Sequence, residues 1–296
     1  LDREKPPSLL DLIEKSKDST KTPQTSMISV IIQEYKACND AQNPMFKGDK
    51  MRNIKMTIEY DGGRYLGWQR LGDSDKTIQG KIENILSAMT GEEIEIIGSG
   101  RTDAGTHARG QVANFKTTSK MDLKAMQDHL IRYLPRDIVV KELEEVPERF
   151  HARYHAAGKT YSYHVWNNVV PSAFERHYSY HYPGHLDMDR MNAACQKLVG
   201  KHDFLGFSSL KKSKKSTIRT INEITVQQEG NLLHFSFTGE GFLYNMVRIM
   251  MGTILEIGAG TMEPEYIDVI FKSGIRSEAG MTVPSHGLFL DAVYYD

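Results

Sequence analysis

Apolar residues in this chain change their spacing several times, and the order of those changes limits the folds open to it. Ile54, Met56, Ile58 and Tyr60 alternate, as the buried face of a strand does. Ile78, Ile82, Ile85, Leu86 and Met89 then recur at helical spacing, and Gly91 follows where a helix would close. Strands are expected over 94–97 and 111–116, and another over 138–146. Between the last two, Leu123, Met126, Leu130 and Tyr133 mark a second helix, stopped at Pro135. This β-α-β-β-α-β order is that of a ferredoxin-like unit. The theme then repeats: a strand over 159–167, a helix over 187–199, strands over 221–228 and 231–238, helices over 242–257 and 264–273, and a strand over 287–294. Glu229-Gly230-Asn231 is a hairpin turn signal between the paired strands. The expected class is α+β. Element order permits two ferredoxin-like halves to share one mostly antiparallel sheet with a central active-site cleft, without requiring it.

Chemistry concentrates in one segment, GSGRTDAGTHARGQVANF, over 98–115. Gly98, Gly100, Ala104, Gly105 and Gly110 leave little side-chain bulk around Asp103. Glycines admit a close ligand and positive φ, so a charged residue here is reachable by something large. Arg101 stands two positions away, near enough to pair with the carboxylate or to hold a phosphate. Two plainer readings compete. Gly98-Ser99-Gly100 suggests a dinucleotide turn, but that fingerprint needs a third glycine and a following helix, whereas 111–115 reads as strand. Asp and Gly also build ordinary structural hairpins.

GRTDAG followed by His107 and Gly110-Gln111-Val112 resembles the signature of the TruA-type tRNA pseudouridine synthases. Further blocks follow in the family's order: Ile58-Glu59-Tyr60-Asp61-Gly62 with Gly67-Trp68-Gln69-Arg70, then Thr77-Ile78-Gln79. Phe150-His151-Ala152-Arg153 and Lys159-Thr160-Tyr161-Ser162-Tyr163 resemble the central segment. The run over 241–248, GFLYNMVR, and Gly287-Leu288-Phe289-Leu290 resemble the C-terminal half. The resemblance spans 51–296, and it is the likeness that implies two halves with a cleft between them. We divide the chain into a flexible extension over 1–50, an N-terminal half over 51–150 carrying the Asp103 loop, and a C-terminal half over 151–296 carrying Tyr161, Arg248 and a basic loop.

The resemblance implies an isomerase that converts uridine to pseudouridine in the anticodon stem-loop, at tRNA positions 38 to 40, without a cofactor or metal. Asp103 is then the nucleophile or base. It could add to the ribose anomeric carbon, abstract the neighbouring proton to leave a glycal, or attack carbon 6 of the ring. Each route needs an ionised carboxylate. Arg101 and Arg248 are the candidates for holding its pKa low. Arg248 sits among Met246, Val247, Ile249 and Met250, where an arginine needs either a partner or a snorkelling path; we expect a buried pair. Tyr161 matches the family's active-site tyrosine, able to stack on the base and lend a hydroxyl. On sequence alone a core aromatic is the stronger reading for Tyr161, and for Leu288, the match to a residue against the flipped uracil, a core leucine is nearly as good. His107 and Arg109 are expected to guide the extruded nucleotide or a phosphate, since a base inside a stem is unreachable.

Composition adds boundaries. A net charge of −1 is low for an RNA binder, but basic residues cluster: Lys211, Lys212, Lys214, Lys215 and Arg219, interleaved with Ser and Thr. That run is either a solvated loop or a set of phosphate contacts, and we expect the latter. Two cysteines, Cys38 and Cys195, form no CxxC pair and indicate neither a zinc site nor a disulfide framework. His177, His181 and His185 would make a metal-ligating face only on a helix, and Pro183-Gly184 breaks one. No apolar run approaches a membrane span, and the charged N-terminal stretch lacks the apolar centre of a secretory signal. A cytoplasmic protein is expected, and by family likeness a homodimer. Two other classes are carried: a catalytically silent RNA-binding or chaperone protein, opposed by the intact Arg101, Asp103 and Tyr161, and a nucleotide hydrolase, opposed by the lack of a P-loop or carboxylate cluster.

Overall fold

The computed structural model describes residues 50–72, 74–210 and 216–296. The extension over 1–49 and the lysines Lys211, Lys212, Lys214 and Lys215 lie outside the described residues. The first half runs β1 (Arg52–Tyr60), α1 (Ile78–Thr90), β2 (Ile96–Gly98), β3 (His107–Thr117), α2 (Leu123–Tyr133) and β4 (Ile138–Val146). The second runs β5 (Ala156–Asn167), β6 (Tyr180–Tyr182), α3 (Met188–Leu198), β7 (Gly200–Asp203), β8 (Ile218–Glu229), β9 (Leu232–Gly239), α4 (Met246–Gly258), α5 (Tyr266–Ser273) and β10 (Leu288–Tyr295). The result is a mixed α/β fold with one large, mostly antiparallel sheet and, among the described residues, five α-helices. No described helix is long and apolar enough to cross a membrane.

Ten strands form the sheet in the order β4-β1-β3-β10-β5-β9-β8-β7, with β2 on β3 and β6 on β5. Within the halves the orders are β4-β1-β3-β2 and β10-β5-β9-β8. The halves join where β10 lies parallel to β3, through Phe289 opposite His107 and Leu290 opposite Ala108. Farther along, the same edge of β3 takes β2, with Ala113 opposite Gly98. The sheet therefore forks along β3, and the fork leaves room for a cleft. Gly110 sits at the join because a Cβ there would lie 2.3 Å from the Asp291 backbone oxygen.

Local chemistry explains the helices. Thr77 and Asp122 cap α1 and α2 with their side-chain oxygens, and Gly91, at φ 73°, ends α1 as expected. Ile78, Ile82 and Leu86 of α1 and Met126 and Leu130 of α2 are fully buried, with Ile54, Met56 and Ile58 of β1 in the same core. Helix α4 is buried almost all round, which suits its run of Ile, Met, Leu and Gly.

Several boundaries shift by two or three residues, and three larger differences stand out. Strand β3 starts at His107 rather than 111, because Arg109 and Gly110 hide its alternation. Helix α4 starts at Met246 rather than 242, because Asn245 adopts a left-handed φ of 61°. Strand β7 has no alternating signal in Gly-Lys-His-Asp and was not expected.

Candidate active site

The loop between β2 and β3 is tied down on every side. Its Thr102 carbonyl accepts from Trp68 N at 3.1 Å, and its Thr102 hydroxyl meets Tyr60 Oη at 2.7 Å. Ser99 N donates to Val112 O, while Gln111 accepts from Ser99 Oγ and donates to Gly100 O. Thr106 N closes the turn onto Asp103 O at 3.1 Å. Gly98 is required here, because a Cβ would lie 2.6 Å from the rigid Trp68 indole, whereas one on Gly100 would meet only the movable Lys159 Nζ at 2.6 Å. Gly98 thus serves close packing beneath the loop as much as access from above.

Asp103 projects from this loop into a cavity of about 880 Å³ whose lining includes Arg101, Lys159, Tyr161, Phe242, Arg248 and Leu288. Both halves contribute to it. Arg248, in the first turn of α4, brings Nη1 to 3.5 Å from Asp103 Oδ2. The same guanidinium donates to Val283 O at 2.7 Å and to Asn245 Oδ1 at 3.0 Å. Asn245 in turn donates to Ser209 Oγ, so its unusual φ presents a side chain that orients the arginine. Arg248 thus has a carboxylate partner, Asp103, but the pair is half-buried rather than buried.

Arg101 does not share that task. It is exposed and forms no ion pair with a described residue, so pairing with Asp103 falls to Arg248 alone. The direction of the carboxyl's shift also differs from expectation. Burial raises the Asp103 pKa above the ordinary carboxylate value, and Arg248 opposes the rise without cancelling it. Tyr161 is buried on the cavity wall, its ring edge-on to Phe242 at 5.1 Å. Burial, and then the Asp103 charge, push its phenol pKa up, so the hydroxyl keeps its proton at neutral pH. Leu288 is buried at the start of β10 and also lines the cavity.

His107 and Arg109 lie elsewhere. His107 is buried, with Nδ1 3.1 Å from Gly62 N and 3.0 Å from Asp61 Oδ1, and with Nε2 3.1 Å from His286 O. Its ring stacks on Phe289 at 4.7 Å. Neither residue is part of the cavity lining. Arg109 lies over the same Phe289 ring, 4.3 Å from its centre, and pairs with Asp291 at 3.0 Å. Both therefore pack at the join of β3 and β10, outside the cavity that holds Asp103. Period-two alternation explains this: His107 and Arg109 share one face of β3, and its buried Ala108 the other.

Lys159 is the residue the sequence reading passed over. Its Nζ donates to Ser99 O at 2.8 Å, which ties β5 of the second half to the Asp103 loop of the first. Burial, with a smaller push from Arg153, lowers its pKa to about 8. The signal was available, because alternation along Lys-Thr-Tyr-Ser-Tyr puts Lys159 on the same face as Tyr161. Thr106 Oγ1, also on the cavity lining, is buried without a hydrogen-bond partner among the described residues.

The cavity brings together a carboxylate, its arginine partner and a buried tyrosine on one lining. A family model described as tRNA pseudouridine synthase matches residues 56–155 and 194–296. The chain is 51% identical over 245 residues to tRNA pseudouridine synthase A of Bacillus sp. (strain KSM-64), a match covering 83% of this chain and 100% of the relative. Similar matches, with the same coverage, are tRNA pseudouridine synthase A 2 of Clostridium perfringens at 48% and tRNA pseudouridine synthase A of Acetivibrio thermocellus at 46%. The chain belongs to the tRNA pseudouridine synthase family and is an isomerase of that family.

Proposed function

We propose that this enzyme converts uridine to pseudouridine in the anticodon stem-loop of tRNA, at positions 38 to 40, with Asp103 as nucleophile or base. The observation that carries the reading is the Asp103–Arg248 pair, contributed by opposite halves, inside a cavity large enough for an extruded nucleotide. The reaction is an isomerisation. The bond from ribose C1′ to uracil N1 breaks, the base turns, and C1′ joins C5. The C5 proton leaves to solvent and N1 takes one up, so no electron acceptor or co-substrate is needed for balance.

Asp103 has three routes open to it: addition at C1′, proton abstraction that leaves a glycal, or addition at C6. All use the anion, so the burial-raised pKa sets a lower pH limit to activity, and Arg248 keeps that limit from rising further. Tyr161, protonated at neutral pH, presents a ring to stack on uracil and a hydroxyl able to give and retake a proton. Leu288 packs against the same base. Arg101, exposed on the cavity wall, serves a phosphate.

The same reading extends to the rest of the chain. Each half is read as a ferredoxin-like unit, over 51–150 and 151–296, supported by the matching strand orders. Lys211, Lys212, Lys214 and Lys215 are read as phosphate contacts for tRNA, and the enzyme as a cytoplasmic homodimer in which one subunit positions tRNA for the other. Tritium release from tRNA labelled at uridine C5 tests the substrate. Release should fall stepwise as uridines at positions 38, 39 and 40 are replaced by cytidine. Undiminished release from a tRNA lacking all three would contradict the anticodon assignment.

A further inference from the structure

The link from β4 to β5 carries a pair of rings at the mouth of the cavity that the chemistry above leaves unused. Tyr154 is 76% exposed, although it is one of the larger aromatic side chains of the protein. Single exposed aromatics are common and by themselves say nothing. This one differs in three respects. First, it already has a ring neighbour: the His151 ring lies 4.2 Å away, tilted by 34°. Second, the pair is held in place. His151 Nδ1 accepts from Arg153 N at 3.2 Å and from Tyr154 N at 3.3 Å, which fixes the imidazole under the tyrosine. Between them the buried Ala152 donates its N–H to Asn114 Oδ1 and accepts from Tyr295 Oη, so β3 and β10 both anchor the turn. Third, positive charge lines the same cavity. Arg101 and Arg153 are exposed, line the same cavity, and form no ion pair with a described residue.

We propose that Tyr154 and His151 form a stacking shelf for an unpaired nucleobase of the RNA, the neighbour of the one inside the cavity, with Arg101 and Arg153 on the adjoining phosphates. The inference rests on the RNA-modifying reading above. Physical need supports it. Turning a base out of a stem unstacks its neighbours, and a preformed aromatic face returns part of that stacking. Two rings rigidly held beside two uncompensated guanidinium groups suit a base and its phosphates. They suit an apolar protein partner poorly, because the guanidinium groups would then be desolvated without a counter-charge.

Tyr154→Ala is the test, with Tyr154→Phe beside it. The Ala variant should bind tRNA about 5- to 150-fold more weakly, the equivalent of one lost stacked base at ~1–3 kcal/mol. Its single-turnover rate at saturating tRNA should stay within about twofold of wild type, and its salt slope should be unchanged. The Phe variant should behave as wild type, since stacking needs the ring and not the hydroxyl. Arg101→Ala or Arg153→Ala should instead reduce the salt slope by about one contact each. 2-Aminopurine placed beside the target uridine should be quenched on binding wild type and not on binding Tyr154→Ala. Thermal midpoints of both Tyr154 variants should match wild type, because the side chain is exposed. Wild-type affinity and quenching in Tyr154→Ala overturn the shelf, and so does failure of Phe to restore binding. If wild type makes pseudouridine while Tyr154→Ala is indistinguishable from it, only the shelf fails. If wild type binds no tRNA, both readings fall.

Discussion

Removing Arg248 separates the electrostatic part of the account from the rest. In Arg248→Met the stem is retained and the charge lost. Two effects follow. The Val283 carbonyl, 2.7 Å from Nε, and Asn245 Oδ1, 3.0 Å from Nη1, lose a charged donor. Bonds to charged groups are worth ~1.5–3 kcal/mol each, and Asn245 is open enough to regain water, so the fold should lose ~2–4 kcal/mol in urea unfolding. The second effect is on Asp103. A pair about 4 Å apart at an effective dielectric of ~20 gains ~4 kcal/mol gross. The Arg248 and Asp103 side chains are 18% and 32% exposed, so we halve that for solvent screening. The remaining ~2 kcal/mol corresponds to roughly 30-fold. The sign is fixed by burial: Asp103 is already raised, and without Arg248 nothing opposes the rise. The acid limb of the single-turnover rate should move to higher pH. The variant should be roughly 30-fold slower on that limb and recover much of the deficit above it. A loss that is uniform across pH, with the limb unmoved, would refute the coupling of Arg248 to the carboxylate.

Two further outcomes follow from the fork of the sheet. Gly110→Ala places a Cβ 2.3 Å from Asp291 O, backbone against backbone where β3 meets β10; stability should fall by ~1–3 kcal/mol or more, and a thermal midpoint equal to wild type would contradict the join. Lys159 has a folded pKa of about 8 against 10.5 for the free side chain, so between those values the unfolded chain holds a proton that the folded one lacks. Its contribution to stability therefore rises with pH across that window, and urea unfolding at several pH values should show the rise in wild type and not in Lys159→Met.

Much of the fold could be read from side-chain period. The alternation of Ile54, Met56, Ile58 and Tyr60, and the helical spacing from Ile78 to Met89, survive intact because local and tertiary preferences agree there. The start of β3 could not be read, since Arg109 and Gly110 are placed by contacts with Asp291 and Phe289, some 180 positions away in sequence. The same holds at the site. Asp103 was legible from its glycine-rich setting. That Arg248 rather than Arg101 is its partner depends on how α4 of one half meets the loop of the other, and no local spacing encodes that. His107 illustrates the converse: it follows the Asp103 loop directly in sequence, yet it packs against Phe289 outside the cavity, and nothing local encodes that partner.

The central claim is that the Asp103 carboxylate drives the isomerisation. Asp103→Asn keeps the shape and replaces the anion with a neutral amide. Tritium release from C5-labelled uridine in tRNA, measured in single turnover with tRNA binding followed in parallel, tests it directly. The account predicts no detectable release while binding is largely kept. A variant that retains even a tenth of wild-type turnover would contradict it.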